Sequence, residues 1–150
     1  MKAVKFLALA GMLVIPMSAA ADDDRIQEAV DTRQGLLKVV RSYFGPVYAM
    51  AGGHIPYDAA VVEKNGEALA ALLPMINDVF RMDTSEADVA SGALDGIWEN
   101  WDDFAEKAAA SAEKASALAA TAGNEDDTKA AFRALGGSCK ACHDQYREQD

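Results

Sequence analysis

Cys139, Cys142 and His143 stand within five residues near the C-terminus, in the run Cys139-Lys140-Ala141-Cys142-His143. They account for both cysteines and for one of the two histidines of the chain. On a helix, positions i, i+3 and i+4 share a face, so two thiols and an imidazole point at one object. The C-x-x-C-H spacing is the attachment signal for c-type haem. Each thiol would add to a haem vinyl group as a thioether, and the His143 imidazole would bind the iron axially. A redox disulfide usually follows a strand at a helix N-terminus, and no βαβ pattern precedes this motif. A zinc site needs two further ligands, and of the cysteines and histidines only His54 remains. One covalent haem c per chain is the expected cofactor.

Such a motif needs a scaffold and a compartment. The chain has 150 residues with 24 acidic against 14 basic side chains, a net charge of −10. That length fits one domain. The acidic balance excludes nucleic acid as a partner, because phosphate binding needs clustered Lys and Arg. At the start, Lys2 and Lys5 precede an apolar stretch from Phe6 to Ile15, and Pro16 precedes Ser18-Ala19-Ala20-Ala21. This is the pattern of a secretory signal peptide. The small-residue cleavage site and the following Asp22-Asp23-Asp24 argue against a membrane anchor. Residues 1–21 are expected to be removed, with cleavage after Ala20 or Ala21, leaving residues 22–150 as one domain outside the cytoplasm. Loss of Lys2 and Lys5 leaves 12 basic residues against 24 acidic ones, a net charge of −12. No other segment is apolar enough to span a membrane, so no membrane insertion is expected once the signal is gone.

The remaining sequence reads as helices. Composition is 51% hydrophobic but only 7% aromatic, and the alanine that supplies much of the apolar share favours helix over strand. Ile26, Val30, Leu36, Leu37, Val40, Tyr43, Phe44 and Val47 recur in steps that describe one face of a long helix. Gly52-Gly53 should end it, and Asp58 should cap a second helix with Val61, Ala68, Leu69, Leu72 and Ile76 inward. Pro74 should kink or stop that helix. Residues 82–92 suit a crossover loop. A third helix is expected to carry Ile97, Trp98, Trp101 and Phe104, followed by an alanine-rich, closely packed stretch. Gly123 should stop it, and Asn124 should start a fourth helix bearing Phe132, Leu135, Cys139, Cys142 and Tyr146. The expected fold is all-α, an antiparallel four-helix bundle with the haem held by the C-terminal helix.

A C-x-x-C-H motif on the last helix of a four-helix chain resembles cytochrome c′, the class II c-type cytochromes. The resemblance spans nearly the whole mature chain. It includes Thr32-Arg33-Gln34, Tyr43-Phe44-Gly45, Pro56-Tyr57-Asp58-Ala59-Ala60, Ile97-Trp98 with Phe104, and Ala131-Phe132. Gly137 to Arg147, around the cysteines, is the specific part. It implies a periplasmic protein with one haem, usually a homodimer through its first two helices. In low-spin relatives the position four residues after the first-helix arginine is methionine, the sixth iron ligand. Here that position, counted from Arg33, is Leu37, which has no lone pair. The iron should then be five-coordinate and high-spin, open to small diatomic gases such as NO and CO behind an apolar side chain.

The resemblance also sets Arg33 and Gln34 beside the haem, where a guanidinium suits propionate carboxylates. It likens Arg147 to a proximal-side arginine whose fixed charge tunes reduction potential. A plain charge opposing the helix C-terminal dipole describes Arg147 equally well. Trp98 is expected in the core, against the haem. The loop before the third helix departs from the family pattern, which leaves Ser91 and Gly92 as the nearest equivalents of its haem-edge contacts. Met75 and Met82 lie near the end of the second helix, but methionine at helical spacing is more often a core filler. His54 reads as a solvated surface residue. Gas binding is therefore the expected function, with an electron carrier serving redox partner proteins as the alternative. No acid–base pair marks an enzyme. A haem-free structural bundle would follow only if the cysteines were never attached.

Overall fold

The computed structural model describes residues 18–149, with side chains from residue 22 onward. Residues 1–17 of the expected leader lie outside the described residues. The helices are α1 (Ser18–Ala51), α2 (Ala59–Leu72), α3 (Met75–Val79), α4 (Gly96–Glu99), α5 (Trp101–Ala119) and α6 (Glu125–Tyr146). The four long ones, α1, α2, α5 and α6, make the bundle, as the hydrophobic spacing requires.

Their ends follow local chemistry. Gly53 takes a left-handed φ of 72° just after α1, a conformation that favours glycine. The Asp58 carboxylate accepts from Ala60 N at 2.9 Å and Val61 N at 3.2 Å, and the Asn124 side chain accepts from Asp126 N and Asp127 N. Both caps satisfy amides that the first helical turn leaves without a partner. Pro74 lies between α2 and the short α3, since a proline cannot continue the amide ladder.

Contacts between elements fix the directions. The Asn65 side-chain amide donates to Tyr43 O, while Arg33 reaches Val79 O, so α1 and α2 run antiparallel. The Tyr57 hydroxyl meets Ala122 O and the Asn77 amide meets Ala105 O, which opposes α2 to α5. Ser111 touches Ser138, and Tyr146 donates to Asp103, opposing α5 to α6. It follows that α1 and α6 are antiparallel too. The main core gathers Val47, Val62, Leu69, Leu118, Phe132 and Leu135 from all four long helices.

Two details differ from the sequence expectation. The third helix is broken at Asn100, whose φ of −126° and ψ of 47° separate α4 from α5. Its side-chain amide donates to Gly96 O at 3.2 Å, so the asparagine competes for a carbonyl of the ladder. On α2 the buried face is Val62, Asn65, Gly66 and Leu69, followed by Leu73, one position on from the expected Val61 and Leu72. Asn65 and Gly66 pull it round, one through its bond to α1 and the other through close approach. A Cβ on Gly66 would lie 2.8 Å from the Ala119 backbone.

Candidate haem-attachment site

Cys139 and Cys142 are both free thiols, one turn apart on α6 and partly buried. Cys139 packs against the main core. Cys142 packs against a second, aromatic cluster built on Phe80, Ile97, Phe104 and Tyr146. Burial pushes the Cys139 thiol above its ordinary pKa, partly offset by Ser138. It pushes Cys142 up to about 11, with Lys107 opposing the rise. Both side chains are therefore neutral thiols at neutral pH, the form that supplies a hydrogen as well as a sulfur to a vinyl group. His143 as a residue is exposed, but its imidazole is partly desolvated by its surroundings, and that desolvation, followed by the nearby Arg147 charge, lowers its pKa, which favours the neutral imidazole a metal needs. Two inward thiols and an adjoining imidazole on one helix fit a c-type haem.

The C-terminal end of α6 is held firmly. The Tyr146 ring is buried, edge-on to Phe104 at 5.4 Å. Its hydroxyl donates to Asp103, which also takes the Lys107 ammonium at 2.6 Å. Lys107 first, then Tyr146, holds the Asp103 carboxyl below its usual range. Beyond α6 the chain pairs with the crossover, Leu94 N donating to Tyr146 O at 3.1 Å and Glu148 N to Gly92 O at 2.9 Å.

The antiparallel register sets the opposite wall. Phe44 of α1 and Phe132 of α6 pack against each other with tilted rings, their centroids 4.6 Å apart. Seven residues from each, about 10 Å along either axis, bring Leu37 to the level of Cys139. Leu37 is 36% exposed. One turn earlier on the same face, Arg33 is buried at 2% exposure. Its Nε donates to Val79 O at 2.9 Å, one terminal nitrogen donates to Thr84 Oγ1 at 2.7 Å, and the other donates to Met82 O. The guanidinium lies 5.0 Å from the Phe80 ring centroid and 5.2 Å from that of Trp98. Burial lowers its pKa, and Asp83 works the other way.

Most of the residues expected at the site gather at this end. Trp98 is partly buried, its indole N–H donating to Phe80 O at 2.9 Å. Gln34 is exposed and reaches Ala90 O at 3.3 Å. Ser91 accepts from Ala93 N, and Gly92 pairs with the tail as above. Arg147 is exposed, caps α6 through its N–H to His143 O, and bridges to Ala93. His54 is exposed in its loop, far along α1, and Met75 is 46% exposed at the start of α3. The partners of Arg33, namely Val79, Phe80 and Thr84, were not foreseen. The available signal was Arg33 itself, a charge standing three residues from Val30 in the apolar stripe of α1.

The family model described as Cytochrome C' matches residues 28–147. Cytochrome c-554 of Cereibacter sphaeroides is 34% identical over 153 residues, covering 100% of both chains. A cytochrome c' of the same organism is 36% identical over 139 residues, covering 91% of this chain and 92% of its own. Among solved structures, a ferrous variant of cytochrome c prime from Alcaligenes xylosoxidans with bound NO superposes with a TM-score of 0.74 at 34% identity, covering 83% of this chain and 97% of that one. A family match over most of the chain, joined to the same helical bundle and a C-terminal C-x-x-C-H, places this chain in the cytochrome c′ family, non-enzymatic haem proteins that carry covalent c-type haem and are typically periplasmic.

Proposed function

We propose that this chain is a periplasmic mono-haem cytochrome whose iron is bound by His143 on one face and left open on the other, facing Leu37, to take NO and CO. When bound, the haem supplies the iron to which a gas attaches. The protein holds, orients and screens it. Cys139 and Cys142 hold it by two thioethers, which tie its plane to α6. His143 offers a neutral imidazole one position beyond Cys142. Leu37 has no donor atom, and no His, Met or Cys occurs between Arg33 and Arg41. That absence of a donor at the level of Cys139 carries the five-coordinate, high-spin reading. An apolar side chain there favours small uncharged ligands over polar ones, and the NO-bound relative supports the choice of gas.

Around this centre, Gln34 and the two uncommitted N–H groups of Arg33 are the proposed propionate donors. Ser91, Gly92 and Trp98 flank the edge, and Arg147 sets a positive charge beside the proximal side. The chain is proposed to act as a homodimer joined through α1 and α2, and the exposed Val39 of α1 offers apolar surface for that contact.

The test is the absorption spectrum of the reduced, haem-loaded protein with and without CO or NO. High-spin bands that change on gas addition are expected, and Leu37→Met should move the spectrum toward low spin. A wild-type low-spin spectrum indifferent to CO would defeat the open-iron reading and leave electron transfer.

A further inference from the structure

We propose that Arg33 is a positioning residue that clamps the 79–98 crossover to α1, and so sets the wall past which a gas reaches the side facing Leu37. The gas-wall half rests on the function proposed above, whereas the clamp stands on contacts alone. The guanidinium makes three hydrogen bonds into one short segment, to Val79 O, Met82 O and Thr84 Oγ1. Val79 O belongs to the last turn of α3, a carbonyl that the helix itself leaves without a partner. Thr84 is itself buried at 7% exposure, and its carbonyl accepts from Ala87 N at 3.3 Å. The segment is therefore anchored in turn to the residue that Arg33 holds.

The rings complete the seat. Phe80 and Trp98 lie against the guanidinium, and the Trp98 indole donates to Phe80 O. One cation thus ties α1 to α3, to the loop after it and to α4. A planar fork with five donors suits this task, and an ammonium does not. Arg33 and Leu37 are one turn apart on the same face of α1, so any slack in the clamp changes the gap between Leu37 and the crossover. A propionate role alone would not require three bonds to the polypeptide.

Thr84 allows the clamp to be tested without touching a charge or any haem donor. Thr84→Val keeps the shape and removes the hydroxyl, and Thr84→Ser restores it. In the haem-loaded protein, Thr84→Val should raise amide hydrogen exchange across residues 79–90 about tenfold, the order expected for a charge-assisted bond. It should also speed CO association several-fold with an unchanged absorption spectrum. Thr84→Ser should behave as wild type, and Arg33→Lys should match or exceed Thr84→Val. Wild-type exchange in both Thr84→Val and Arg33→Lys overturns the clamp. Faster exchange with unaltered CO association overturns the positioning role and leaves scaffolding only. A wild type that takes up no CO defeats the open-iron reading and the gas wall with it, while exchange still decides the clamp.

Discussion

Arg33 carries two demands at once, and its burial explains how both are met. A buried guanidinium is tolerated only when its donors are satisfied, and here carbonyls and a hydroxyl of the crossover do most of that. Leu37, one turn on, is meaningful for what it lacks. Cys139 and Cys142 differ from each other through their surroundings, one set against the main bundle core and the other against the cluster of Phe80, Ile97, Phe104 and Tyr146. Replacing either cysteine with alanine should leave a single thioether, detected as a shifted alkaline pyridine spectrum with the haem still covalently bound by mass. Tyr146 gives a pH prediction. Burial and the adjacent Asp103 push its hydroxyl up to about 12, above the ordinary value near ~10. A raised folded-state pKa contributes stability that is complete below pH ~10 and is lost as pH climbs toward the folded value. Tyr146→Phe should be less stable than wild type in urea at pH 8, and the gap should narrow above pH ~10. A constant gap would mean that the proton is not coupled to folding.

At the scale of elements, close packing and caps decide the geometry. Gly66 lets α2 approach α5 at Ala119. Gly66→Ala forces a methyl into backbone and should cost about 1–3 kcal/mol, lowering Tm by ~3–10 °C on thermal unfolding. The caps at Asp58 and Asn124 were legible because short polar side chains before an apolar run have few other uses. The register of α2 was not. Asn65 and Gly66 are buried for a hydrogen bond and for closeness, and neither leaves an apolar mark in the sequence. Asn100 hid the break between α4 and α5 for a related reason, since tryptophans on both sides kept a helical spacing across it. The pairing of the tail with residues 92–94 had no sequence signal, as backbone amides and carbonyls are the same for every residue.

On the scale of the whole molecule, charge and topology govern association. The chain carries a net charge of −10, so copies of it repel one another, and salt screens that repulsion. The proposed dimer should therefore strengthen between low and physiological ionic strength in sedimentation velocity, and a dimer that weakens with salt would point to an interface held by ion pairs instead. The antiparallel bundle brings the middle of α1 to the last two turns of α6, although more than a hundred residues separate Arg33 from His143. By itself the sequence determined the four main helical stretches, the attachment motif and the family, because periodicity, caps and the C-x-x-C-H spacing are local and act within a few turns. The tertiary structure decided what Arg33 touches, which face of α2 turns inward and how α6 is pinned at Tyr146. Those choices depend on long-range packing and on polar groups finding buried partners, and neither is written into the spacing of any one segment.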